Sequence, residues 1–246
     1  MPEDHFSAVA GEYAEYRPSY PAAMVAFLAE LAPSRGLAWD CATGSGQAAV
    51  LLAREFTRVV ATDLSPQQLA HATPAPNIEY RQGRESESGL PDASCDLVTA
   101  AQAAHWFDLP RFYAEVNRVL KPGGIVAIWG YGVIRIDPAI DPIVEWFEHE
   151  RVGRYWPPGR EHAHAQYRTL AFPYPRLDAP PFVMEHRWTR ARFVGCLGTW
   201  SAVERCSRAE GRDPIPEVAA KLSPLWPDHE TRVIRWPIHL LVGRAR

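Results

Sequence analysis

The first half of the chain alternates short apolar runs with amphipathic stretches. The apolar runs predict strands over 37–41, 58–62, 78–82, 96–100 and 125–129. Between them, 47–56 and 111–120 place apolar residues on one helical face. Ser65, followed by Pro66 and Gln68, is typical of a capped helix start. Strands and helices alternating at this spacing predict right-handed crossovers and a parallel sheet.

The second half has a different pattern. The stretch 135–181 is rich in Pro, His, Arg and Trp and predicts a helix near 142–154 followed by irregular chain. Further patterns predict strands over 182–188 and 231–242 and helices over 193–206 and 216–222. Pro237 predicts a bulge or an edge in the last strand. We therefore expect one α/β domain over 1–246, with 36–132 as its core and 133–246 as a cap and the last strands.

Composition excludes several classes of protein. The 246 residues are 47% hydrophobic and 22% charged, which suffices for a full core. The net charge of −3 argues against nucleic-acid binding. The four cysteines form no Cys-x-x-Cys pair, which indicates reduced thiols. No run of 18 apolar residues occurs and the amino terminus is acidic, so we expect no membrane span, no signal peptide and a cytoplasmic location.

A glycine-rich turn is the clearest candidate for chemistry. The run Asp40-Cys-Ala-Thr-Gly-Ser-Gly46 lies between a predicted strand and a predicted helix, and Asp63 ends the next strand. Glycines there allow close approach of a ligand, and a carboxylate at the strand end can accept both ribose hydroxyls. The pattern predicts a nucleotide-type pocket, with a tight turn carrying a surface Asp as the plainer alternative.

Two cofactors fit this pocket. Gly44-x-Gly46-x-x-Ala49 satisfies the dinucleotide fingerprint, with Asp63 near the usual spacing. Asp40, however, gives a pyrophosphate no benefit, whereas it suits a ligand with a cationic amino group. S-adenosylmethionine carries a ribose, an adenine, a sulfonium and an α-ammonium, and it carries no phosphate. Asp40 therefore favours S-adenosylmethionine over NAD(P).

Several ordered motifs resemble class I S-adenosylmethionine-dependent methyltransferases of the type 11 family, with the trans-aconitate methyltransferase-like small-molecule enzymes as the nearest group. The resemblance covers about 1–132 well and continues loosely through Thr199-Trp-Ser-Ala202 and Trp236-Pro237. The motifs are Asp40-Cys-Ala-Thr-Gly-Ser-Gly-Gln47, Ala61-Thr-Asp-Leu-Ser65, Pro91-Asp-Ala-Ser-Cys-Asp96, Ala101-Gln-Ala-Ala-His-Trp-Phe107 and Arg118-Val-Leu-Lys-Pro-Gly-Gly124. The resemblance implies a Rossmann-like, seven-stranded, mostly parallel sheet with helices on both faces and a helical cap.

The resemblance also implies roles for particular residues. Asp40 faces the methionine ammonium, Asp63 binds the ribose hydroxyls, and Glu85 accepts from the adenine amino group. Two departures from the family pattern are Ala42, where a glycine is usual, and Glu85, where Asp is usual. The implied cofactor-binding residues are Asp40, Ala42, Gly44, Gly46, Asp63, Leu64, Glu85, Ser86, Gln102, Tyr16 and Arg17.

The amino-terminal 1–35 is expected to form a lid and a first helix. Tyr13, Tyr16 and Tyr20 offer ring faces that attract a sulfonium, and Arg17 suits the methionine carboxylate. The alternative is a surface helix whose tyrosines pack on the sheet edge.

The acceptor side is expected after the fourth and fifth strands. His105 is the candidate general base, or alternatively a residue that orders its loop. Trp106, Tyr131 and Trp200 are the candidate substrate-binding residues. The further candidates for this pocket are Trp129, Gly130, Trp156, His162, His164, Arg151, Arg154, Arg160 and Arg205, whose arginines suit a carboxylate.

The predicted function is methyl transfer from S-adenosylmethionine to a small molecule. A carboxylate is the first choice of acceptor, because it is already ionised and needs no base, and a hydroxyl or phenol is the second. The alternatives are an NAD(P)-dependent oxidoreductase and a protein that binds S-adenosylmethionine without turnover. No metal, nucleic-acid or membrane partner is expected, and the chain is expected to be a monomer or homodimer.

Overall fold

The computed structural model describes residues 18–245, and one mixed sheet organises them. Its strands are β1 (Leu37–Cys41), β2 (Arg58–Asp63), β3 (Ile78–Gln82), β4 (Cys95–Ala101), β5 (Leu120–Gly130), β6 (Phe182–Thr189) and β7 (Thr231–Arg244). The strand order is β3-β2-β1-β4-β5-β7-β6. β1 to β5 pair in parallel, whereas β7 runs antiparallel to both β5 and β6. The seven-stranded, mostly parallel sheet is thus confirmed.

Nine α-helices accompany the sheet within the described residues. They are α1 (Ala22–Leu31), α2 (Ala49–Leu52), α3 (Pro66–Ala70), α4 (Leu109–Val119), α5 (Asp141–Trp146), α6 (Arg160–His164), α7 (Arg190–Gly198), α8 (Ser201–Glu210) and α9 (Ile215–Leu222). Short 3-10 turns cover Ala104–Trp106 and Gly153–Tyr155, and a π-helical turn covers Phe147–Arg151. We call α5–α9 the cap helices.

The sheet is covered on both faces. Successive strand residues point to opposite sides, so a central parallel strand must be apolar on both. Trp39 of β1 lies in the core that includes Phe112 of α4, with ring centroids 6.3 Å apart. Its neighbour Ala38 lies in the other core, which includes Met24 and Leu28 of α1. This burial explains the continuous apolar runs from which the strands were predicted.

Three predicted helices differ in the structure. The helix expected near 142–154 is α-helical only in α5 and continues as the π-helical turn and a 3-10 turn. The segment 47–56 contains only the short helix α2, because its bonds mix two spacings: the Ala48 carbonyl accepts from both Leu51 and Leu52. The predicted helix 193–206 is two helices, α7 and α8. The Thr199 hydroxyl donates to the Cys196 carbonyl at 2.7 Å, which ends α7. Trp200 then takes an extended conformation.

The prediction of an edge at Pro237 is confirmed locally. β7 pairs with β6 from Thr231 to Ile238 and with β5 only from His239 onward. On the edge of β7 that faces away from β6, the backbone groups of Arg235 bond to those of Arg135. Backbone groups two residues apart in a strand point to the same edge, so the missing N–H of Pro237 would also point there. That position lies between the Arg135 bridge and the end of β5, where no strand among the described residues pairs with it.

The four cysteines are buried and form no disulfide. Within 18–245, no helix has the length and apolar character needed to cross a bilayer.

Candidate active site

The glycine-rich turn connects β1 to α2 at the carboxyl end of the sheet. The turn is tied to the next strand, because the Thr43 amide donates to the Thr62 carbonyl at 2.9 Å. Ala42, Gly44 and Gly46 all have left-handed backbone, with φ of +55°, +58° and +84°. A Cβ on Gly46 would collide with the Tyr80 hydroxyl. Ala42, which stands where the resembling family has glycine, therefore occupies a conformation that favours glycine.

Asp40 is a fully buried carboxylate at the end of β1. It accepts hydrogen bonds from the hydroxyls of Thr43 at 2.5 Å and Thr99 at 2.7 Å. Burial raises its pKa to about 6, although these two hydrogen bonds oppose the rise. A carboxylate held this way gains most from a cationic partner, which offsets the cost of burying its charge.

Asp63 ends β2 beside the turn. One carboxylate oxygen accepts from the Gly44 amide at 2.8 Å and the other from the Ser65 amide at 2.9 Å. Because each carboxylate oxygen has two acceptor positions, these bonds orient the group and are compatible with further hydroxyl donors. The same Ser65 caps α3, where its side chain accepts from the Gln68 amide.

Glu85 and Ser86 lie in a short turn that follows β3. The turn is closed by a bridge between Arg84 and Glu87, and the Gly83 amide donates to the Asp63 carbonyl at 3.0 Å. Leu64 is held on the same side, since its carbonyl accepts from the Gln82 side chain.

Three carboxylates surround the end of β1. Burial raises the pKa of the Cys41 thiol well above its usual range, and the negative charges of Asp40, Glu85 and Asp63 raise it further. Those interactions mean that the predicted carboxylates converge on one place. Such a cluster favours a ligand with positive charge.

Gln102 follows β4 in a strained conformation. Its φ is +56°, its amide donates to the Trp129 carbonyl at 2.8 Å, and its Nε2 donates to the Tyr131 carbonyl at 2.8 Å. Its Oε1 is buried and accepts no hydrogen bond from the residues described. Strain combined with an unsatisfied buried acceptor is typical of ligand sites.

A cleft opens next to Gln102. It holds about 540 Å³ of empty space, including solvent at its mouth. The lining residues are Gln102, His105, Trp106, Tyr131, Gly132, Ile134, Trp156, Arg160, Trp200, Ser201 and Trp236. The structure thus brings together the predicted His105, Trp106, Tyr131 and Trp200, and it adds Trp236 of β7, which sequence reasoning did not assign to this pocket.

Sequence reasoning missed Trp236 and Ser201 for different reasons. Trp236 sits in a strand pattern that indicated only a buried position, and it is 1% exposed. Ser201 begins α8, and the interruption between α7 and α8 that exposes it to the cleft depends on Thr199. The Thr-Trp-Ser run at 199–201 was the available signal.

His105 lies in the 3-10 turn after β4 and is nearly buried. Its Nδ1 is 2.8 Å from the Tyr167 hydroxyl, and its ring centroid is 4.4 Å from that of Trp106. Burial lowers the pKa of His105 to about 3, and the positive charge of Arg160 lowers it further. The imidazole is therefore neutral at pH 7 and is a weak base.

Arg160 is the arginine of the cap that reaches the cleft. Its guanidinium carbon is 4.5 Å from the ring centroid of Trp156, and its Nη2 is 3.6 Å from Oε1 of the buried Glu148. Gly159 fixes the backbone here: its φ is +93°, and a Cβ would lie 2.5 Å from the His105 carbonyl. The π-helical turn that carries Glu148 thus supports a guanidinium at the cleft wall.

The other arginine and histidine candidates of the cap do not line this cleft. Arg151 pairs with Glu210 at 2.8 Å and Glu217 at 2.7 Å, so it joins helices α8 and α9. Arg154 is exposed and pairs with Glu210. Arg205, His162 and His164 do not line the cleft, and His164 instead contacts Glu148 at 3.1 Å.

The predicted lid residues Tyr13, Tyr16 and Arg17 lie outside the described residues. Tyr20, which is described, is buried. Its ring centroid is 5.4 Å from that of Trp129 and 6.4 Å from that of Tyr131. Tyr20 therefore packs against the end of β5, beside the cleft.

Comparisons with known proteins agree with this architecture. The model of the methyltransferase domain family matches residues 39–128, from β1 to β5. A provisionally assigned methyltransferase of Dictyostelium discoideum is 30% identical over 250 residues, which cover 98% of this chain and 95% of that protein. An uncharacterized methyltransferase of Mycobacterium tuberculosis is 38% identical over 120 residues, which cover 48% of this chain and 49% of that protein.

A solved structure extends the likeness to the whole fold. A provisionally assigned type II methyltransferase of Anaeromyxobacter dehalogenans is 45% identical, with a TM-score of 0.87, and the match covers 93% of this chain and 98% of that one. The sheet order, the carboxylates around the glycine-rich turn and the near full-length relative all agree. The chain therefore belongs to the class I S-adenosylmethionine-dependent methyltransferases.

Proposed function

We propose that this protein transfers the methyl group of S-adenosylmethionine to a carboxylate of a small molecule. The observation that carries the proposal is Arg160, a guanidinium held at the wall of an aromatic cleft that adjoins Gln102 and the carboxyl ends of the strands. Arginine binds carboxylates with two parallel hydrogen bonds, and it does so best where water is excluded.

The residues at the end of β1 fit S-adenosylmethionine. Asp40 is a buried carboxylate that gains from the ammonium, and Asp63 is oriented by two backbone amides to accept ribose hydroxyls. Gly44 and Gly46 have no side chains, so a ligand can approach the backbone of the turn closely. The unsatisfied Oε1 of Gln102 would be satisfied by a hydrogen-bond donor or a positive charge on the ligand. Glu85, Ser86 and Leu64 lie beside Asp63, where an adenine would extend.

The bound cofactor would supply an electrophilic methyl carbon on a positively charged sulfur. The chain's own part is to hold the acceptor in line with that carbon and to exclude water. Arg160 would orient the carboxylate, and the indoles of Trp106, Trp156 and Trp200 would keep the cleft dry.

The state of His105 supports an acceptor that needs no base. A hydroxyl or amine must lose a proton during methylation, and a base whose pKa lies near neutral pH removes that proton best. The pKa of His105, about 3, is far below that range. A carboxylate acceptor is already ionised, so its methylation would release no proton and would need no base from the chain, and the electron pair of the broken C–S bond would remain on sulfur. His105 would then position Tyr167 and the loop that carries Trp106.

The test measures S-adenosylhomocysteine formation with a panel of carboxylic acids, alcohols and amines, and identifies the product by mass spectrometry. We expect methyl esters. Arg160→Gln should lower kcat/KM by about 100-fold, the loss of a charged hydrogen-bonded pair in a dry site. Arg154→Gln, which removes an exposed arginine of the cap, is the matched control and should leave the rate unchanged.

Other outcomes would support the alternatives. Products methylated only on oxygen of alcohols or on nitrogen would refute the carboxylate acceptor. Calorimetry with S-adenosylmethionine, S-adenosylhomocysteine and NADH, repeated on Asp63→Ala, tests the cofactor. Binding of NADH alone would indicate an oxidoreductase, and binding of S-adenosylmethionine without turnover of any acceptor would indicate a binding protein. Gel filtration with light scattering would decide between monomer and homodimer.

A further inference from the structure

The cleft has an unusual balance of charge and aromatic surface. Of its lining residues, five are Trp or Tyr: Trp106, Tyr131, Trp156, Trp200 and Trp236. Among the lining residues described, Arg160 is the one with a formal charge at neutral pH. His105, which also lines the cleft, is neutral at that pH. The wall therefore offers one site for an anion and a large area for a ring.

Two of the indoles form a wall that begins at the guanidinium. Arg160 lies over Trp156, and the ring centroid of Trp156 is 5.4 Å from that of Trp200. A carboxylate that binds Arg160 thus has an indole face directly beside it. An aromatic body attached to the carboxylate would stack there, which contributes beyond simple burial of area.

The charge of the cleft lining limits how many carboxylates an acceptor can carry. A second carboxylate on the acceptor would lose its hydration against the indoles, and the lining residues described offer no second cation to pair with it. Burying an unpartnered carboxylate is strongly unfavourable. Glu148, buried behind Arg160, adds a negative charge on the same side and strengthens the exclusion.

We infer that the acceptor is an aromatic monocarboxylic acid, and that the cleft rejects di- and tricarboxylic acids. This inference rests on the proposed carboxylate methylation and narrows it. The aromatic lining and the one guanidinium suit a ring that carries one carboxylate. The methyl ester product is neutral and no longer pairs with Arg160, so it would leave readily.

The experiment compares three acids that differ in their number of carboxylates or in aromatic area. They are 3-phenylpropionate, benzylsuccinate, which adds a carboxymethyl group and thus a second carboxylate, and butyrate, which has no ring. Ester formation is followed with wild-type protein and S-adenosylmethionine. We expect kcat/KM for 3-phenylpropionate to be at least about 100-fold higher than for benzylsuccinate and about 10-fold higher than for butyrate.

A variant separates stacking from general damage. Trp106→Leu removes a half-buried indole from the cleft and should lower the preference for 3-phenylpropionate over butyrate, measured as the ratio of their kcat/KM values, by about 10-fold. Trp146→Leu is the matched control: Trp146 is a half-buried tryptophan of α5, under Lys221 and outside the cleft. It should leave this ratio unchanged.

A binding measurement covers the case of no turnover. Tryptophan fluorescence in the presence of S-adenosylhomocysteine is titrated with the same three acids, and we expect the same order of affinity. Equal or better use of benzylsuccinate or butyrate, with loss of activity in Arg160→Gln, would overturn this inference and leave carboxylate methylation standing. Activity confined to alcohols or amines would overturn both, as would failure of all three acids to bind.

Discussion

Replacing Asp40 by Asn tests the electrostatics of the cofactor end of the sheet. Asp40 is fully buried, and its pKa lies near 6 rather than at the usual 3.8 because burial disfavours its charge. When the folded-state pKa is the higher one, the unfolded chain loses its proton first as pH rises. Stability is therefore lost between about pH 4 and pH 6, and the charged carboxylate then destabilises the fold.

The magnitude follows from the difference in pKa. Each unit corresponds to about 1.4 kcal/mol, so the ionised carboxylate costs about 3 kcal/mol above pH 6. Asparagine keeps the shape and does not titrate. Its Oδ1 can accept from one of the two threonine hydroxyls, and its Nδ2 can donate to the other. The free energy of unfolding of Asp40→Asn, minus that of wild type, should therefore increase by about 3 kcal/mol as pH rises from 4 to 7.

The assay is urea unfolding of both proteins from pH 4 to pH 8 without cofactor. Asp178→Asn, which removes an exposed carboxylate, is the control and should leave the pH dependence of wild type unchanged. A difference between Asp40→Asn and wild type that stays constant with pH would refute the reasoning.

The same substitution has the opposite effect on binding. A cationic ligand gains from the ionised carboxylate, so affinity of wild type for S-adenosylhomocysteine should fall as pH drops below about 6. Asp40→Asn should bind weakly at every pH, although it is the more stable protein. Equal affinity of the two proteins at pH 8 would mean that Asp40 does not face the ammonium.

Three further predictions concern the turn, the cap and the histidine. Ala42→Gly should raise the free energy of unfolding by about 1 kcal/mol in urea denaturation, because Ala42 has φ of +55°; destabilisation would mean that its methyl packs usefully. Glu148→Gln should raise KM for a carboxylate acceptor several-fold with little change in kcat, since Glu148 holds Arg160 from behind, while Glu150→Gln, an exposed neighbour, should not; equal effects would argue against that support. Methylation of a carboxylate should be independent of pH between 7 and 9, because His105 is already neutral there; a rate that rises with pH would indicate a general base.

The local patterns of the chain were sufficient for the sheet and its glycine-rich turn. Strands buried on both faces must be apolar along their length, so β1, β2, β4 and the regular part of β5 are visible as short runs. The capped start of α3 is equally local, since Ser65 bonds the amide of Gln68 three residues on. The convergence of Asp40 and Asp63 follows from parallel neighbours whose ends meet at one edge.

The elements that were predicted wrongly depend on contacts with residues far away in the sequence. The segment 47–56 ends irregularly where the Asn77 side chain donates to the carbonyls of Ala53 and Phe56, more than twenty residues away. The interruption at Thr199 is stabilised by its local hydroxyl bond, but its consequence, the placing of Trp200 at the cleft, requires the partners Trp156 and Phe147. No periodicity records such contacts.

The arginines of the cap show the same division most clearly. In the sequence, Arg151, Arg154, Arg160 and Arg205 are equivalent, because composition says nothing about partners. The fold brings Glu210 and Glu217 to Arg151, and brings Glu148, Trp156 and the cleft to Arg160. Periodicity and local bonding were enough to predict the parallel strands and the glycine-rich turn, whereas the antiparallel strand and the cofactor class were expected from Asp40 and the family motifs. Which arginine lines the cleft was set by the fold, since ion pairing depends on distances between residues far apart in the chain.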